Sequence, residues 1–162
     1  SIDMETTANN TKYPSAVIAN WFLEKEPAMK NDIMKVLKLV YIAHGFHLAF
    51  KETPLIKENV QAWQYGPVIP ELYFRLKTKT LGITSDYIKD SEKFEKDEHI
   101  KSLLEAVYRK YSKYTGGELS ALTHKQNTPW DITVTRFESL IKEDIIKAHY
   151  KELLRKAKAT NN

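Results

Sequence analysis

The chain contains no cysteine. Disulfides, thiolate metal sites and cysteine nucleophiles are therefore excluded, and the chain suits a reducing cytosol, where we place it. Glycine is scarce. Its five residues, two of them adjacent, form neither a phosphate loop nor a dinucleotide fingerprint. Nucleotide binding has no support, and no cofactor is expected. No apolar run approaches the roughly 20 residues that a membrane helix needs. The N-terminus lacks the charged-then-apolar pattern of a secretion signal. Neither sign of charge dominates: 25 Lys and Arg stand against 21 Asp and Glu, for a net charge of +4. That balance permits contact with nucleic acid or an acidic protein and requires neither. There is no internal repeat and no low-complexity tract.

What is present fits one soluble domain of 162 residues, 42% hydrophobic and 28% charged. Residues 1–12 are polar and read as a disordered N-terminal segment, in part a tag. Residues 13–157 read as the domain, and 158–162 as a disordered tail. Val17, Ile18, Trp21 and Phe22 recur at helical spacing and predict a short helix closing near Pro27. Asp32 can cap a stronger helix. Its stripe runs through Ile33, Val36, Leu37, Val40, Tyr41, His44 and Leu48. Gly45 inside it costs about 1 kcal/mol relative to alanine, which close packing by another segment would explain. Residues 55–64 predict a small β-hairpin turning near Asn59. Gly66-Pro67 then breaks the chain, and Pro70 opens a helix with Leu72, Tyr73 and Leu76.

Residues 89–98 (KDSEKFEKDE) alternate in charge and read as a solvated loop. Ile100, Leu103, Leu104, Val107, Tyr108 and Tyr111 form a clear amphipathic stripe that Gly116-Gly117 ends. A short helix carries Leu119 and Leu122. Thr128-Pro129-Trp130-Asp131 reads as a helix start, with threonine capping, proline at N1 and aspartate bonding back. The last helix uses Ile145, Ile146, His149, Leu153 and Leu154. The fold expected is mainly α: a compact multi-helix domain with a small two-stranded β-hairpin.

Candidate chemistry is thin. His44 and His47, spaced i, i+3, could face one metal, but no further ligand is evident and metal sites need three or more. No metal is expected. His124 could be a general base or could bond the last carbonyls of its helix. Ser120 lacks the Gly-x-Ser-x-Gly elbow of a hydrolase. Lys147, Lys151, Arg155 and Lys158 share one face of the final helix. They could follow phosphates, but they also complement the negative end of the helix dipole. No helix-turn-helix signature supports a nucleic-acid partner. The chain is read as a non-enzyme.

Three segments in order carry a resemblance. They are Ala19-Asn20-Trp21-Phe22-Leu23 followed by Leu37-Lys38-Leu39-Val40-Tyr41, then AWQYGPVIPELY (62–73), then LSALTHKQNTPW (119–130). Together they resemble the SocA-like, or Panacea, antitoxin domain, a family also found in phage-associated proteins. The resemblance runs from about Tyr13 to Tyr150. It implies a mostly helical domain with a small hairpin. It also implies an antitoxin encoded beside a toxin gene, which neutralises its cognate toxin by direct protein contact. One member is similar to a proteolytic adaptor that delivers its toxin to a cytosolic ATP-dependent protease. A protease partner is thus an alternative, as is a phage-associated nucleic-acid-binding role. No catalytic residues carry over. The signature positions are Trp63, Tyr65, Gly66, Pro67, Tyr73, Thr123, His124, Pro129 and Trp130, structural or binding.

Overall fold

A computed structural model describes residues 11–82 and 85–161. Most of the expected disordered N-terminal segment lies outside the described residues. Among those described, eight helices and three short strands follow in chain order. They are α1 (Ser15–Lys25), a 3₁₀ turn (Pro27–Asn31), α2 (Ile33–Lys51), β1 (Val60–Trp63), β2 (Gly66–Val68), α3 (Pro70–Thr78) and α4 (Ser85–Glu95). Then come α5 (Glu98–Tyr111), α6 (Gly116–His124), α7 (Pro129–Thr135), β3 (Leu140–Ile141) and α8 (Glu143–Asn161). The fold is mainly α with a small antiparallel sheet, as the sequence predicts.

Helix α2 is the axis. Asp32 caps it by accepting the Lys35 N–H, and residues 35–49 are buried throughout. Its largest interfaces are with α8 and α6, and α1 and α5 cover its other sides. By length and composition α2 could cross a membrane, with a mean hydropathy of 1.3, which the sequence reading did not anticipate. Here the other elements bury 78% of that stretch. Gly45 has the reason expected of it. A Cβ there would lie 2.3 Å from a ring carbon of Tyr150 on α8. Tyr150 also packs edge-on against Phe46, with ring centroids 4.8 Å apart.

Five expectations are corrected. The charged stretch at 89–98 is not a loop, because α4 runs to Glu95. Phe94 is buried edge-to-face on Tyr13, centroids 5.4 Å apart, and Lys57 pairs with Asp90 at 3.0 Å. One apolar anchor per two turns, with solvated charges elsewhere, is enough to hold a helix to a wall. The hairpin turn lies at Gln64–Tyr65, not Asn59, with Trp63 opposite Gly66. Gly66 closes the turn at φ +113, so Gly66-Pro67 begins β2 and does not break the chain. The sheet has a third strand, β3, in the order β2-β1-β3. Finally, Gly116 opens α6; it does not end α5. It lies under Asp32, whose Oδ2 accepts its N–H at 2.9 Å.

Candidate functional site

The signature residues converge where the hairpin meets α2, α6 and α7. A two-stranded hairpin alone is marginal in water, and its carbonyls are tied to the helices around it. Three of them, at alternate positions, take a side-chain donor from three different helices. The Trp63 carbonyl accepts the Trp130 indole N–H of α7 at 2.6 Å. The Tyr65 carbonyl accepts the Ser120 hydroxyl of α6. The Pro67 carbonyl accepts the Lys38 ammonium of α2 at 2.8 Å. Each bond contributes about 1 kcal/mol net, and breaking the buried one, from Lys38 to Pro67, leaves a group unsatisfied at about 1–3 kcal/mol.

Lys38 has no exposed surface, and burial pulls its pKa down from 10.5 to about 7. Gly66 is the space through which it reaches. A Cβ there would stand 3.0 Å from Lys38 Nζ and 3.5 Å from Thr123 Oγ1. Buried Thr123 bonds back to the Leu119 carbonyl at 2.8 Å. Pro129 is buried at the start of α7, where Thr128 caps by accepting the Asp131 N–H. The aspartate reaches back one residue further than expected, to the Asn127 N–H at 2.9 Å.

Ser120 and His124 adjoin, but not as a hydrolytic pair. The serine proton is directed to the Tyr65 carbonyl, and His124 Nδ1 donates to the Ser120 carbonyl, one turn back. Ser120 Oγ also lies 3.4 Å from His124 Nδ1, but with the Nδ1 proton on the Ser120 carbonyl that nitrogen offers the serine no lone pair. The His124 ring meets Trp130 edge-on, centroids 5.2 Å apart. The His124 side chain thus bonds within its own helix, one turn inside its end, and packs on Trp130.

Outside this corner the other candidates disperse. His44 Nδ1 accepts the Leu55 N–H at 3.3 Å, and His47 Nδ1 donates to the Thr53 carbonyl at 2.6 Å. Burial and the His47 charge push the His44 pKa down to about 3. Both rings tie the 52–55 loop to α2. No cluster of three metal-binding side chains occurs among the described residues. On α8, Lys147 and Lys151 both pair with Glu52, and Arg155 pairs with Glu152. These three cations are held by carboxylates, whereas Lys158 is exposed with no ion pair among the described residues.

What remains open to solvent is aromatic. Tyr65 at the hairpin tip is 61% exposed and Phe74 on α3 is 55% exposed. Half-buried Trp63 lies between them, edge-on to Tyr73 with centroids 5.5 Å apart, and 6.4 Å from Phe74. Lys38 and Ser120 lie outside the signature positions. A lysine inside an apolar stripe was the available signal for the first; nothing in the sequence marks the second.

The family model described as antitoxin SocA-like, Panacea domain matches residues 36–131. That span holds all three hairpin carbonyls and all three donors. A protein described as Antitoxin SocA, from Caulobacter vibrioides (strain NA1000 / CB15N), is 28% identical over 126 residues, covering 71% of this chain and 67% of the relative. No solved structure matches. With its signature residues gathered into one pinned corner and the model matched from α2 to α7, the chain belongs to the SocA-like, Panacea domain family of antitoxins.

Proposed function

We propose that this protein is the antitoxin of a toxin–antitoxin pair and that it neutralises its cognate protein toxin by direct binding. Family membership over residues 36–131 is the observation that carries the reading. The local chemistry supports binding over catalysis, since Ser120, His124, His44 and His47 are each committed to a backbone group of their own chain. On this reading it catalyses no reaction, needs no cofactor and works in the cytoplasm. Occlusion is the mechanism: the antitoxin covers the surface through which the toxin acts. A standard stable interface buries about 1,600 Å² in total, within reach of a domain of this size.

Co-expression with the product of the adjacent gene tests the proposal. That product alone should arrest growth, and this protein should restore it. A neighbour that is harmless alone, or stays toxic in the presence of this protein, refutes it. Toxin half-life separates occlusion from delivery to a protease: occlusion restores growth with the half-life unchanged.

A further inference from the structure

One face of the small sheet is covered at β2, where Val68 is buried, and open at β3. Strands β1 and β3 pair with Val60 opposite Ile141 and Gln61 opposite Leu140. Val60 and Ile141 are buried in the core. Side chains alternate across a strand, so Gln61, Trp63 and Leu140 lie on the opposite, outer face. Leu140 is 44% exposed there. Back from Leu140, toward the Trp63 end of β1, the chain passes Phe137. This residue is 98% exposed and sits at φ +58, a left-handed backbone that phenylalanine rarely adopts. The backbone there closes the end of α7, the Phe137 N–H donating to the Val134 carbonyl at 3.0 Å and the Glu138 N–H to the Thr133 carbonyl at 3.1 Å, so the wholly solvated phenyl ring is the cost that nothing in the described fold offsets. Such a ring within an exposed apolar patch is a reason to look for function. Of the seven exposed large hydrophobic residues among those described, five (Tyr65, Phe74, Val134, Phe137 and Leu140) belong to the hairpin, α3, α7 and the β3 approach.

The edge of β3 is also open. The Ala62 N–H donates to the Ser139 carbonyl at 2.8 Å, which makes 62–139 and 60–141 the hydrogen-bonded positions. The N–H and C=O of Leu140 therefore point away from β1, out of the sheet. The charge beside this face is basic. Lys77, whose Nζ lies 5.7 Å from the Tyr73 ring centroid, and Arg136, next to Phe137, form no ion pair among the described residues. The carboxylates of Glu71 and Glu138 are held by Arg75 and Lys142.

We propose that this face is the toxin-docking surface, and that it takes an extended, acid-flanked segment of the toxin laid beside β3, with apolar side chains over Trp63 and Phe137. The inference rests on the antitoxin reading above. The open backbone edge gives a peptide strand amide partners, which a nucleic acid cannot supply. A second copy of this chain would bring the same unpaired cations against each other across a two-fold contact. An acidic partner meets neither obstacle, and a solvated phenylalanine is the kind of anchor that dominates binding energy once buried.

The test uses the full chain and the protein encoded by the adjacent gene, purified together and separately. Phe137→Asn removes the ring and puts a residue that accepts left-handed backbone in its place, so folding is not at risk. Toxin affinity should fall at least about tenfold while the melting temperature holds or rises. Phe137→Asn with Leu140→Asp should abolish growth rescue. Phe50→Ala and Ile88→Ala, exposed elsewhere, should leave affinity unchanged. Wild-type affinity in the Phe137→Asn, Leu140→Asp protein overturns the docking face and leaves the antitoxin reading standing. A wild-type protein that neither binds nor rescues refutes the antitoxin reading, and the docking face with it. Two other results would reassign the face and overturn the proposal. One is a dimer-to-monomer shift in sedimentation caused by the double substitution. The other is loss of binding to a labelled single-stranded RNA oligonucleotide with toxin affinity intact.

Discussion

Replacing Lys38 by methionine should stabilise the protein at neutral pH and lose that advantage as pH rises. Lys38→Met keeps an unbranched side chain and removes the charge. In the unfolded chain the lysine holds its proton up to 10.5; in the folded protein it does so only to about 7, because burial disfavours the ammonium. Between those values the unfolded state binds more protons, so wild-type stability rises with pH across that window. Linkage puts the burial cost at about 4 kcal/mol at pH 7 and about 2 kcal/mol at pH 9. Against this, the methionine thioether could not donate to the Pro67 carbonyl, a loss of about 1–3 kcal/mol at either pH. The variant should therefore be about 2 kcal/mol more stable than wild type at pH 7 and about equal to it at pH 9. Urea denaturation reads this directly. With a slope of about 2 kcal/mol per molar, the gap between the two midpoints should change by about 1 M. All other titrating groups are common to both proteins and drop out of the difference. The same midpoint gap at pH 7 and pH 9 would refute the buried-ammonium account.

Two further outcomes follow from close contacts. Gly45→Ala should destabilise by about 1–3 kcal/mol through overpacking against Tyr150, although alanine gains about 1 kcal/mol of helix propensity; a chemical denaturation midpoint checks the sign. Gly66→Val should unfold the hairpin first and lose toxin neutralisation as a consequence, since φ +113 and Lys38 Nζ at 3.0 Å both oppose a side chain. Near-UV circular dichroism of its tryptophans, measured beside growth rescue, distinguishes this from a direct contact: a native spectrum with rescue lost would put Gly66 in the interface.

The sequence was most legible where one residue settles a local question. Asp32 caps α2, and Thr128 caps α7, because each lies just before an apolar stripe. The α2 stripe was readable because a central helix buries apolar residues at every turn. Helix α4 was not, because Tyr87 and Phe94, seven residues apart, are hidden among alternating charges. Strand β3 is two residues long, too short to carry an alternation. The hairpin turn was misplaced for want of an Asn-Gly signal, although Gly66 was the residue that needed positive φ. The grouping of Trp63, Tyr65, Gly66, Pro67, Thr123, His124 and Trp130 at one corner followed from motif resemblance. The donors that pin the corner depend on distances between elements far apart in sequence, and local pattern holds no record of those.

The dominance of the α2–α8 interface has a consequence during synthesis. Helix α8 emerges about ninety residues after α2, which at about 5–20 residues per second takes roughly 5–18 seconds. For that interval the groove that receives Tyr150 stands open on a helix apolar enough to pass for a membrane segment. The nascent chain therefore depends on chaperone capacity in a way the finished domain does not. Ribosome stalling between residues 52 and 142 would release fragments whose longest apolar helix has lost its largest cover, and quality-control proteases should clear them faster than the complete protein.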